Sequence, residues 1–178
     1  GEVQQLINAG NPDATEENYL EVIRKKTAQL FDAAAETGAV LAGASPTQQA
    51  SMGRYGHHLG MAFQLVDDAL DYNGNTEDLG KNVGDDLAEG KPTLPLIYAM
   101  KNGTSNQTTL IRSAIEEGGI EQMEAILDAI NVTGALDYTM SLAKQHAEQA
   151  QLCLCDLPDT PERQAMLDLA DFAIQRKS

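Results

Sequence analysis

Apolar residues recur every three to four positions along almost the whole chain, the spacing that lines one face of a helix. Glu2 to Asn8 reads as the end of one helix, closed by Gly10-Asn11-Pro12. Thr15 is a natural N-cap, with Glu16 and Glu17 in the favourable first turn. The helix it opens is expected to run to about Thr37, with Leu20, Ile23, Leu30, Phe31 and Ala34 as its apolar stripe. Thr27 sits in that stripe and Lys26 flanks it, where a lysine usually snorkels to water. After the break at Gly43-Ala44-Ser45-Pro46, the longest helix is expected from Pro46 to about Tyr72. Further helices are expected from Lys91-Pro92-Thr93 to Asn102-Gly103, from Gln107 to Glu117, Ile120 to Asn131, Gly134 to about Leu157, and Pro161 to Arg176. Strand-like alternation is absent, so the expected class is all-α, a helical bundle.

One stretch organises the rest: Gly60 to Asp71. On a helix of about 3.6 residues per turn, Gln64, Asp67, Asp68 and Asp71 fall within an arc of about 100°. Leu59, Phe63, Val66 and Leu70 form the adjoining apolar face. Two carboxylates about 5 Å apart near a protein surface repel by roughly 3 kcal/mol. Three of them beside a buried face call for a cation. Oxygen ligands of this kind suit Mg²⁺, which takes one or two carboxylates together with substrate phosphates. A solvated acidic face gives the same pattern, and the following sequence is what separates the two. Gly80-Lys81 and Gly90-Lys91 place two cations just after the acids, in a long segment from Asn73 to Gly90. Neither fits a P-loop, because each Gly-to-Gly-Lys spacing is one residue too long and no strand precedes it. As point charges the lysines can still meet phosphate oxygens.

Other candidates carry less. Gly53, Gly56 and Gly60 recur at three- and four-residue spacing, allowing either a close neighbour or room for a ligand. His57 and His58 point about 100° apart on a helix and are read as structural or surface groups. Cys153 and Cys155 have no second pair to complete a zinc site and read as plain thiols in a reducing cytoplasm.

The formal net charge of −15 argues against bare nucleic acid as a partner, since binding it requires neutralising phosphates. It also makes a diphosphate hard to hold without a bridging metal. No apolar run reaches the roughly 18 residues of a membrane helix. The chain opens Gly1-Glu2-Val3, without an initiator Met, which leads to the expectation of a fragment.

The ordered series Gly60-Met61-Ala62-Phe63-Gln64-Leu65-Val66-Asp67-Asp68-Ala69-Leu70-Asp71, Leu79-Gly80-Lys81 and Gly84-Asp85-Asp86-Leu87-Ala88-Glu89-Gly90-Lys91-Pro92-Thr93 resembles the second aspartate-rich region of trans-polyprenyl diphosphate synthases. Lys26-Thr27 matches that family's Lys-Thr pair, and the likeness covers essentially the whole chain. It is greatest to the bacterial long-chain branch of octaprenyl type, including Pro158-Asp159-Thr160-Pro161.

The resemblance implies an isoprenoid synthase bundle, of which residues 1–178 would be the C-terminal part of a single domain. It implies Mg²⁺ ligation by Asp67, Asp68 and Asp71, and allylic diphosphate contacts from Lys26, Thr27, Gln64, Lys81 and Lys91. It assigns no catalytic residue beyond these ligands and no general base. The implied substrates are an allylic prenyl diphosphate and isopentenyl diphosphate, joined into a long all-trans chain of the kind that serves as a quinone side-chain precursor. A cytoplasmic homodimer is expected. The family's first aspartate-rich motif and its Arg pair do not occur in this sequence, so the 178 residues alone are expected to be inactive. Two alternatives stand beside this: a non-catalytic regulatory subunit of a prenyl synthase, and a terpene cyclase.

Overall fold

The computed structural model describes residues 1–73, 83–118 and 121–176. Among these residues the regular structure is helical throughout. The elements are α1 (Glu2–Asn8), α2 (Glu16–Ile23), a π-helical turn (Arg24–Ala28), α3 (Gln29–Leu41), α4 (Pro46–Leu70), α5 (Asp85–Ala88), α6 (Leu94–Asn102), α7 (Ser105–Glu117), α8 (Met123–Thr133), α9 (Ala135–Leu152) and α10 (Pro161–Gln175). The all-α expectation holds.

Local chemistry explains most boundaries. The Thr15 hydroxyl accepts the Asn18 backbone N–H at 3.1 Å, so Thr15 caps α2 as the sequence suggests. Thr104 and Gln107 form a reciprocal capping box that starts α7 two residues earlier than expected. α6 opens at Leu94, not at Lys91, because Lys91–Thr93 stays outside the helix and Pro95 fills its second position. α8 begins at Met123; its expected start, Ile120, lies outside the described residues. α9 ends at Leu152, short of Leu157, and the chain then turns until Thr160 caps α10 through the Arg163 N–H. The segment from Asn73 to Gly90 contains the one-turn α5, and residues 74–82 within it lie outside the described set.

The second helix departs from expectation. It is not one regular rod to Thr37 but α2, a π turn and α3, continuing past Gly38 to Leu41. A π turn bonds i to i+5 and so takes up one residue more than an α turn. The burial phase after it is displaced by one position. Leu30 is 69% exposed and Ala34 is exposed, while Ala28, Phe31, Ala35 and Ala39 face inward to differing degrees. The stripe read from the sequence is therefore correct before the π turn; after it Phe31 holds its place in the core, while Leu30 and Ala34 each lie one position off the buried face.

Two compact units contain these elements. The first joins Gly1–Val22 to Asp67–Met140. Its core is built by α5 to α8, where Leu87, Leu96, Ile111, Ile115, Ile126 and Ile130 are fully buried together with Tyr72. Tyr98 stacks on Tyr138 with ring centroids 4.2 Å apart, and the Tyr138 hydroxyl donates to Glu16 at 2.6 Å.

The second unit joins Ile23–Val66 to the chain from Ser141 onward. Tyr55, Leu59, Ala150, Leu154, Ala170 and Ala173 form its core, with Phe31 and Met166 packed against them. The small residues of α4 serve helix packing here. A Cβ on Gly56 would collide with the Phe31 carbonyl, and one on Gly60 would lie 2.7 Å from the Ala28 Cα. Of the two uses the sequence left open for these glycines, the structure shows close packing. His58 and His146 meet Nδ1 to Nδ1 at 3.0 Å, with His57 edge-on to His58. These are structural histidines, as expected, although their partner on α9 was not foreseen.

Candidate functional site

α4 carries the acids and is shared by the two units, with Gln64 in the second and Asp67 onward in the first. Its burial is more complete than a single apolar face requires. Ala62, Leu65 and Val66 are wholly inaccessible, so the helix is enclosed on several sides where the acids begin.

In the first unit Asp68 is only 4% exposed. Its Oδ2 accepts the Tyr19 hydroxyl at 2.6 Å, a short charge-assisted hydrogen bond. Tyr19 is 6% exposed, and burial followed by the Asp68 charge pushes its phenol well above the ordinary range, so it remains a donor. Asp71 stands one turn on, half-buried. Its backbone carbonyl accepts the Gly84 N–H at 3.0 Å and its Oδ2 accepts the Asp86 N–H at 3.2 Å. Gly84 adopts φ +85°, a left-handed conformation glycine accepts without strain, and this lets the chain turn into α5 beneath Asp71. Burial first, then the Asp86 charge, raise the Asp71 carboxyl to about 6, against the lowering effect of the backbone hydrogen bonds.

Lys91 comes back to the same acids. Its Nζ lies 2.8 Å from Asp86 Oδ1 and 2.7 Å from Glu89 Oε2. Burial works against its charge, but the bonds to Asp86 and Glu89 outweigh it and hold its pKa above the usual value. Asp86 thus links Lys91 to Asp71, through its side chain on one side and its backbone N–H on the other. Just beyond, Thr93 donates to the buried Tyr72 hydroxyl at 3.1 Å, tying the start of α6 to the end of α4.

In the second unit the Thr27 hydroxyl donates to Gln64 Oε1 at 2.8 Å, which joins two of the expected diphosphate contacts. Lys26 and Thr27 both lie in the π turn, a local geometry frequent at functional positions. Lys81 lies outside the described residues. Sequence reasoning passed over Tyr19 and gave Asp86 no role. An aromatic residue seven positions before Lys26 and the acid pair after Gly84 were the available signals.

The acids fit a hard divalent cation. All donors are oxygens, and burial together with the charges of Asp86 and Asp85 raises the cost of ionising Asp71, which a cation relieves. Among the described residues no three His, Cys, Asp or Glu side chains are arranged to hold an ion unaided. That agrees with Mg²⁺, which keeps waters and takes substrate phosphates in place of a full protein cage.

Comparison with known proteins identifies the family to which this all-α chain belongs. The sequence profile described as polyprenyl synthetase matches residues 1–132, and the chain belongs to that family. It is 53% identical over 177 residues to octaprenyl diphosphate synthase of Escherichia coli, spanning 99% of this chain and 55% of the relative. It is 46% identical over 176 residues to an all-trans-nonaprenyl-diphosphate synthase of Rhodobacter capsulatus, spanning 99% of this chain and 54% of the relative. Among solved structures, a polyprenyl synthase from Caulobacter crescentus, complexed with calcium and isoprenyl diphosphate, superposes with TM-score 0.92 at 42% identity, covering 99% of this chain and 55% of that one. A decaprenyl diphosphate synthase from Rhodobacter capsulatus gives TM-score 0.91 at 40% identity, with the same coverage of 99% and 55%. The fold is thus that of the isoprenyl diphosphate synthases. The chain spans about half the length of the relatives it matches.

Proposed function

We propose that this chain supplies the second acidic motif of a trans-polyprenyl diphosphate synthase. The intact protein joins isopentenyl diphosphate to an allylic prenyl diphosphate to make a long all-trans product of octaprenyl type. The observation that carries the reading is the run Asp68–Asp71–Asp86–Lys91: three like-charged, buried or half-buried acids, two of them tied by a backbone N–H, with a lysine beside them. Asp67, Asp68 and Asp71 would hold Mg²⁺, and Lys26, Thr27, Gln64, Lys81 and Lys91 would contact the diphosphate.

Bound Mg²⁺ supplies electrophilic stabilisation of the charge that grows on a departing diphosphate. The protein's own groups do the rest. Lys91, kept protonated by Asp86 and Glu89, adds fixed positive charge at that end. Thr27 orients the Gln64 amide by donating to its oxygen. The acids are assigned as metal ligands with no general-base role, and the proton lost as the new double bond forms leaves with the released diphosphate or water. The calcium and isoprenyl diphosphate bound to the Caulobacter crescentus relative support the ligand classes. A homodimer in the cytoplasm completes the proposal; among the described residues no helix is long and apolar enough to cross a membrane.

The test is a product assay on the full-length chain with Mg²⁺, an allylic diphosphate and labelled isopentenyl diphosphate. A lengthened linear diphosphate supports the synthase. A released hydrocarbon indicates a cyclase, and absence of turnover that a second subunit restores indicates a regulatory partner.

A further inference from the structure

Asp68 is the most deeply buried acid of the motif, and a side chain from a different helix holds it in place. Tyr19 on α2 donates to Asp68 Oδ2 at 2.6 Å, and both residues are more than nine-tenths buried. We propose that Tyr19 is a positioning residue for the metal site, fixing the orientation of the Asp68 carboxylate through Oδ2.

This rests on the reading of Asp68 as a metal ligand. The physical case is one of torsional freedom. An Asp side chain has two rotatable bonds, and its terminal torsion is broad, so an untethered carboxylate samples several presentations. A short hydrogen bond from a rigid phenol selects one of them. The phenol is itself enclosed, since Tyr19 is only 6% exposed. Hydrogen-bond partners of ligating carboxylates commonly control affinity by roughly 10–100-fold. A simple tie between two helices would show the same distance but would act on stability alone. The readouts must therefore separate metal affinity from stability.

The experiment uses the full-length chain and titrates Mn²⁺ by electron paramagnetic resonance in the presence of inorganic pyrophosphate, beside thermal melts of the metal-free protein. Tyr19→Phe is expected to weaken Mn²⁺ binding by about tenfold and to raise the Mg²⁺ concentration needed for half-maximal turnover. Asp67→Ala is the control for the underlying site. If Asp67→Ala abolishes binding while Tyr19→Phe leaves the affinity unchanged, the positioning role is overturned and the site stands. If both leave it unchanged, the reading of the acids as metal ligands fails. As a second, independent comparison, Tyr19→Phe with Asp68→Asn is set beside Asp68→Asn alone, each melted first to establish that it is folded at the temperature of titration. Acting through Asp68 requires the two to bind equally, and a further loss in the double variant overturns the proposal.

Discussion

The Asp71 carboxylate accepts the backbone N–H of Asp86 at 3.2 Å. A carboxylate and the residue most opposed to it by charge are thereby held together. The backbone dipole offsets part of the repulsion between the side chains, and Lys91 offsets more from the far side of Asp86. What is left shows in the Asp71 carboxyl, raised to about 6 by burial and by Asp86.

Replacing that residue should act in opposite directions on two measurements. Asp71→Asn keeps the shape and removes the charge, so the metal-free protein should melt higher at pH 7, by about 2–4 °C if about 1 kcal/mol of repulsion is relieved. In the synthase proposed above the same change should raise the Mg²⁺ concentration needed for turnover. Unchanged Mg²⁺ dependence would remove Asp71 from the ligand set.

The histidine pair predicts an acid-sensitive stability. Burial, then His58 and His57, lower the His146 imidazole from 6.5 to about 4. Between those values the unfolded chain binds more protons than the folded one, so stability is fully present above pH 6.5 and is lost as pH falls towards 4. Melts from pH 7 to pH 4.5 should show this loss. It should shrink by about 2–4 °C in His146→Gln, the response to about 1 kcal/mol in a chain of this size. An identical pH profile in the variant would mean that other groups carry the effect.

Gly56 should resist even a methyl group. The added Cβ meets the Phe31 carbonyl, backbone that can yield only if the helices separate. Gly56→Ala should cost about 1–3 kcal/mol, as overpacking generally does. Thermal or urea unfolding measures it, and a neutral result would show that α3 and α4 part easily.

Thr104 offers a test remote from the acids. Its hydroxyl accepts the Gln107 N–H at 3.3 Å while Gln107 Oε1 accepts the Thr104 N–H at 2.9 Å. Thr104→Ala should cost about 1 kcal/mol and leave turnover of the full-length enzyme unchanged. Hydrogen exchange at the first turn of α7 should quicken.

The sequence made the helical class, most helix starts and the acid edge of α4 readable because each rests on local chemistry: apolar periodicity, caps, and charge that needs a counter-charge. Tyr19 escaped notice because its role depends on a hydrogen bond to a residue 49 positions away. Asp86 was quoted as part of a motif without a role for the same reason, since its place beneath Asp71 follows from the turn at Gly84. The stripe of α3 was misread for a different cause. Leu30 and Ala34 have the right spacing for an uninterrupted α-helix, and hydropathy does not report where a π turn intervenes.

That turn at Arg24–Ala28 behaves like a spacer of one codon. Removing any single residue from 24–28 would let the helix close into regular α-helical bonds with little loss of backbone order. Every side chain downstream to Leu41 would keep its present face, Phe31 inward and Leu30 outward, because the π turn takes up the one residue that the deletion removes. A single-residue deletion here should therefore be tolerated better than one within α3, where each downstream side chain would turn by about 100°. In a deletion scan this segment would stand out as a place where the helix can lose a residue, the cost falling on the placement of Lys26 and Thr27.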